Sequence, residues 1–264
     1  MKKTFLITVL LLFFFFNKQC LAQETTVEEQ YQSFLKKYRV YQAGSDFYKN
    51  AKSKYLSYQS VTSRADYLGL AKKYLSSEIE AGESYAVFIR SRLTEATKIL
   101  NYQENFYFIK LDDEITFLSS LKNKVNNVAS ISDLLSFWTE FETHFESISS
   151  YGYSIKAHIE ISSLEKIDEN LKITKDKLSQ YLTESLTGNS YVDAARDNFS
   201  VLEKDYAKIV TSTNNLKNQK KNLSSQKVSQ ETASTIRGEI NQVLTQIQLL
   251  STNYQKLLQT IVSR

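Results

Sequence analysis

The side chains of this chain that are suited to chemistry are few and far apart. His144 and His158 are its two histidines. They lie fourteen residues apart on one expected helix, a separation of about 21 Å at about 1.5 Å per residue, too far to share one metal ion. Asp112, Asp113 and Glu114 form a carboxylate cluster, as do Glu28 and Glu29. Acidic residues gather in this way on the first turn of a helix, where they complement the positive end of its dipole. The single cysteine, Cys20, sits in the N-terminal segment. The sequence has no glycine-rich phosphate loop and no serine in a G-x-S-x-G turn. These residues predict no catalytic, cofactor-binding or metal site, each histidine reads as a boundary or solvent residue, and the chain is expected not to be an enzyme.

Two patches read as candidate interaction surfaces. Phe137, Trp138, Phe141 and Phe145 form a dense aromatic face on one helix, and the run Phe106 to Ile109 is expected near it. Such a face either packs into a core or meets a partner. Lys217, Lys220, Lys221 and Lys227 form a basic patch with no acidic residue between Asp205 and Glu231. It reads as a loose hairpin tip in solvent, or as a contact for an anionic envelope polymer or lipid headgroup.

The elements that must position these residues are helices. Proline is absent and glycine occurs six times, against an average proline usage of about 5%. A genome poor in G and C produces the same depletion, so periodicity carries the fold argument. Apolar residues recur at spacings of three and four. Val192, Ala195, Phe199, Leu202, Tyr206, Ile209, Thr213, Leu216, Lys220 and Leu223 follow a heptad, as do Ala233, Ile236, Ile240, Val243, Ile247, Leu250, Tyr254, Leu257 and Ile261. A sustained heptad implies helices wound around one another. The segment 190–264 is therefore expected to be an antiparallel coiled-coil hairpin packing on or extending a helical bundle at 23–189.

Boxes of the S/T-x-x-acid type at Ser63 to Asp66, Ser130 to Asp133 and Ser190 to Asp193 mark helix starts. They predict helices near 25–60, 63–129 with a break near 101–111, 131–187 with a kink at Gly152, 190–226 and 229–263. The fold class is all-α: an elongated antiparallel helical bundle with coiled-coil hairpins. Within the first helix Tyr31, Phe34, Tyr38, Tyr41, Tyr48 and Tyr55 form a ladder. Antiparallel pairing across a turn near Thr62 is expected to set Tyr55 near Gly69, Tyr41 near Gly82 and Tyr38 near Ala86, large residues facing small ones in a core.

The N-terminus carries Lys2 and Lys3, an apolar run from Phe5 to Phe16, and Cys20-Leu21-Ala22. This is the layout of a secretory signal peptide over residues 1–22, with cleavage between Ala22 and Gln23. The apolar run is shorter than the roughly 20 residues of a membrane span. Of 33 basic residues, Lys2, Lys3 and Lys18 would leave, so 30 would remain against 29 acidic ones. That balance gives no support for a nucleic-acid partner. The expected protein is exported to the medium, the periplasm or the cell envelope of a bacterium. It has no cofactor and no integral span after signal removal. It serves as a helical scaffold, spacer or binding protein for a protein or envelope-surface partner, with a homo-oligomer among the arrangements. The alternative is an α-helical membrane-active or pore-forming protein.

Overall fold

The computed structural model describes residues 26–100, 106–184, 190–223 and 227–262. The expected signal peptide and its Ala22–Gln23 junction lie outside these residues. Six helices follow one another among the described residues: α1 Val27–Tyr58, α2 Val61–Leu100, α3 Phe106–Asn127, α4 Ile131–Glu184, α5 Ser190–Leu223 and α6 Gln230–Val262.

Local chemistry fixes the helix ends. Thr26 and Glu29 close a reciprocal capping box at the start of α1, the role expected of acidic residues there. Gln59 adopts the left-handed conformation, φ 44°, and donates its N–H to the Tyr55 carbonyl, so the chain reverses within two residues. The cap of α2 is Ser60, whose hydroxyl accepts the Ser63 N–H. The expected start at Ser63 is thus one turn late, because Ser63 itself supplies the N–H being capped. Ser130 caps α4 as its sequence predicts, and Ser229 caps α6 through the Thr232 N–H. Ser190 opens α5. The expected break near 101–111 falls partly outside the described residues, between α2 and α3.

The helices form two three-helix bundles that share α4. In the first, α2, α3 and the N-terminal half of α4 bury Leu75, Ile79, Leu93, Leu111, Leu118, Leu121 and Ile148. In the second, the C-terminal half of α4 joins α5 and α6 over Ile161, Leu164, Ile209, Leu216, Ile240 and Leu250. The 54 residues of α4 make it about 80 Å long, and the molecule is correspondingly elongated. Helix α1 packs along α2, and Ala51 is its one fully buried residue.

Helix α4 changes its buried face midway. Leu134, Phe141, Ile148 and Ile155 face the first core, whereas Ala157, Ile161, Leu164, Leu171, Leu178 and Leu182 face the second. Around residues 148–158 it is buried on both sides, and there the small residues Ser150, Gly152, Ser154 and Ala157 alternate with large ones such as Tyr151, Tyr153, Ile155 and His158. α4 runs through Gly152 as one continuous helix. A Cβ at Gly152 would come within 2.9 Å of Ile89 Cδ1 and of the Tyr85 hydroxyl, so the glycine permits close approach of α2.

Candidate functional site

The acidic cluster and the histidines are drawn apart by helix geometry. Asp112, Asp113 and Glu114 sit at the junction of the second and third turns of α3, not in a first turn. Successive residues there point about 100° apart. Asp112 pairs with Arg90 of α2, its Oδ2 3.2 Å from Nη2. Asp113 lies 3.9 Å from Lys110. Glu114 is buried and its Oε2 is 2.6 Å from His144 Nδ1. The His144 ring stacks on Phe117 with centroids 3.4 Å apart.

A shallow hollow of about 280 Å³, lined by Phe117, Ser136, Thr139, Glu140, Thr143 and His144, opens beside this pair. A carboxylate that orients a histidine is one half of a general-base device. The Thr139 and Thr143 hydroxyls in the hollow donate to the Leu135 and Thr139 carbonyls, and Ser136 lines the same hollow. The pair also ties α3 to α4. His158 is buried, against the expectation of a boundary position, because it lies where both faces of α4 are covered; its ring meets Tyr107 edge-on at 5.5 Å. Among the described residues no group of three or more His, Cys, Asp or Glu side chains is placed to hold a metal ion.

The aromatic face is a seam between helices. Trp138 lies 5.2 Å from Tyr48 and 5.7 Å from Tyr74, Phe141 and Phe145 stack at 5.5 Å, and Phe137 packs against the same core. The run from Phe106 lies elsewhere: Tyr107 meets Tyr151 and His158 of α4, and Phe108 lies under the Arg90 guanidinium. In the basic patch, Lys220 pairs with Glu165 at 3.2 Å and Lys227 approaches Glu146 at 4.0 Å. Lys217 acts on the Asp168 carboxyl, and Lys221 is exposed. The Val228 N–H donates to Ser150 Oγ at 2.8 Å. This end of the α5–α6 hairpin is docked on α4, so the expectation of a loose tip gives way to a tethered one. Residues 224–226 lie outside the described residues.

The tyrosine ladder packs by stacking on other aromatics, which corrects the large-against-small register. Tyr41 and Tyr48 both stack on Tyr74, at 5.0 and 4.8 Å, and Tyr55 stacks on Tyr67 at 5.3 Å. Gly82 instead faces Phe141 and Phe145, while Gly69 faces open space. Under the ladder lies Glu78 of α2, with one carboxyl oxygen buried and unpartnered. Burial lifts its pKa to about 7; the Tyr41 hydroxyl bonded to it pulls the other way, and Glu142 adds to the rise. Tyr41 is itself raised by burial, by its bond to Tyr74 and by the Glu78 charge.

A second polar cluster interrupts the aliphatic seam of the other bundle. Asp168 and Lys175 occupy the α4 heptad between Leu164, Leu171 and Leu178. Burial raises the Asp168 carboxyl against the pull of Lys217, Tyr206 and Lys172. Burial followed by the Asp168 charge pushes Tyr206 up to about 12, and Lys175 lies 5.5 Å over the Tyr206 ring. Sequence reasoning missed both clusters. Its available signals were an acidic residue within a tyrosine-facing stripe and the heptad from Ile161 to Leu182. No protein-family model, curated protein or solved structure matches this chain.

Proposed function

We propose that this chain is an exported, non-enzymatic helical scaffold, spacer or binding protein of the bacterial cell envelope or medium. The observation that carries this reading is α4, one uninterrupted helix of 54 residues that serves two cores. A helix clamped by neighbours along its whole length resists bending and holds two ends at a set distance, as a spacer must. Support also comes from the titratable residues singled out in the sequence. Glu114, His144, Asp112 and Lys220 make helix-to-helix contacts, and Lys227, between α5 and α6, approaches Glu146 of α4. The partner is a protein or an envelope surface, without nucleic acid or a cofactor, and self-association through helix faces belongs to the same reading. Fractionation with N-terminal mass spectrometry tests export: recovery from the medium or envelope beginning at Gln23 is expected, and retention in the cytoplasm beginning at Met1 overturns it.

A membrane-active protein is the second reading, and one observation favours it: at the α1–α2 turn Leu56, Tyr58 and Val61 are exposed, as are Lys54 and Arg64. No helix among the described residues is long and apolar enough to cross a membrane. Release of vesicle contents by the purified chain would favour this second reading over the scaffold.

A further inference from the structure

The turn between α1 and α2 holds large apolar side chains in open solvent. Leu56 is 61% exposed, Tyr58 76% and Val61 88%. Lys54 and Arg64 flank them in the chain, Lys52 lies one turn before Leu56 with its ammonium 5.9 Å over the Tyr48 ring, all three are exposed, and no acidic residue occurs between Asp46 and Asp66. The left-handed Gln59 closes this turn in two residues, so the apolar and basic groups are held together on one rigid end.

That end stands clear of the bundle. Trp138 lies against Tyr74, and Phe141 and Phe145 lie against Gly82, a parallel register that sets the start of α4 level with about Leu68 of α2. The first two turns of α2, with the end of α1 paired to them, therefore project about 10 Å beyond α4. Burying exposed Leu, Tyr and Val is favourable, yet nothing among the described residues covers them.

We propose that this end docks on the surface of an anionic phospholipid bilayer, with Leu56, Tyr58 and Val61 entering the boundary between headgroups and acyl chains and Lys52, Lys54 and Arg64 meeting headgroup phosphates. The projection matches the depth of about 5–10 Å at which interfacial segments lie. Tyrosine suits that boundary because its ring is apolar and its hydroxyl remains hydrated. A soluble polyanion would match the charges and leave the apolar groups wet. A second copy of this end would oppose like charges. The inference rests on the exported reading only for its biological setting, since vesicle binding is a property of the folded chain.

The test places a polarity-sensitive fluorophore on Ser57→Cys, with Cys20→Ser so that the label has one site. Phosphatidylglycerol vesicles should shift its emission to the blue. The shift should be weak on phosphatidylcholine and should fade as salt approaches about 1 M, where the Debye length is about 3 Å. Combining Lys52→Gln, Lys54→Gln and Arg64→Gln should weaken apparent affinity on the order of a hundredfold. Combining Leu56→Ser, Tyr58→Ser and Val61→Ser should abolish the blue shift without lowering the melting temperature, because all three side chains are exposed. An unshifted label at saturating lipid overturns the proposal, as does an equal shift on phosphatidylcholine. Pelleting with vesicles while the label stays unshifted also overturns it, because another face then meets the lipid. A shift that grows with protein concentration in the absence of lipid assigns the surface to a second copy and overturns it as well. Mass spectrometry of the exported form reads the N-terminus separately: Gln23 with no shift sinks the docking alone, and Met1 with a shift sinks export alone.

Discussion

The two bundles are built from the same element in different ways. The second is an aliphatic heptad bundle whose α4, α5 and α6 stripes meet in regular layers, interrupted by the cluster around Asp168. The first is aromatic at its edge: α1 is held to α2 by stacked tyrosines, half-exposed on the α1 side, above a carboxyl lifted by burial. Aliphatic side chains interlock only when fully desolvated, so their stripes vanish into a core. Tyrosine stacks while its hydroxyl stays near water, so a tyrosine stripe can hold a helix to one neighbour without a complete core around it. The same helical period thus gives an integral helix in one bundle and an applied one in the other.

The contrast is broken or sharpened most strongly by core truncation. Ile161 is fully buried, and Ile161→Ala should cost about 2–5 kcal/mol. Tyr41→Ala should cost only about 1–2 kcal/mol, an aromatic pair and part of a buried surface. Urea denaturation of both variants measures the difference; equal losses would mean that α1 is as integral as α4.

Glu78 gives the next effect, on the order of 2 kcal/mol once its partial exposure is discounted. Its carboxyl is raised from 4.5 to about 7 in the folded chain, so the folded state holds the proton more tightly than the unfolded one. The contribution is therefore fully present below pH 4.5 and is lost as pH rises through about 7. Glu78→Gln should flatten this part of the pH profile and raise the melting temperature at pH 8. An unchanged profile would mean that the carboxyl is ionised and solvated beneath the tyrosines.

Glycines supply the smallest and most local effects. A Cβ at Gly82 would meet Phe141 and Phe145 at 3.1 and 3.2 Å, whereas one at Gly69 meets nothing within 4 Å. Gly69→Ala should stabilise by about 1 kcal/mol through helix propensity. Gly82→Ala should lose that gain to crowding and come out neutral or destabilised. Equal gains at both sites would place the Phe141–Phe145 stack away from α2.

Much of the fold was legible because helix starts and heptads are local. Ser130, the α5 and α6 stripes and the absence of proline each act within a few turns, and the helices fall where these signals put them. The α1–α2 register was not legible, since spacing alone does not say whether a tyrosine meets a glycine or another tyrosine. Nor was the role of α4 in the second bundle: its seam from Ile161 to Leu182 carries Asp168 and Lys175, which hide the repeat in a binary pattern. The candidate sites were less legible still. Asp112, Asp113 and Glu114 look like one cluster in sequence and are sent in different directions by the turn of the helix. Trp138 reads as core, with a partner-binding surface as the alternative, until Tyr48 and Tyr74 are set against it.

The change of face in α4 acts as an angular setting. Passing from the stripe that ends at Ile155 to the one that begins at Ser150 and Ala157 is a step of two residues, about 200° around the axis, which sends the two cores to opposite sides of a single rod. Azimuth and length are then coupled by residue count alone. One residue added to α4 between the stripes would swing the second bundle by about 100° while advancing it only about 1.5 Å, and a full heptad would restore nearly the original heading about 10 Å farther along. The chain can thus lengthen by a heptad or by eleven residues with its two ends still aimed to within about 20°, whereas one or two added residues re-aim one end against the other.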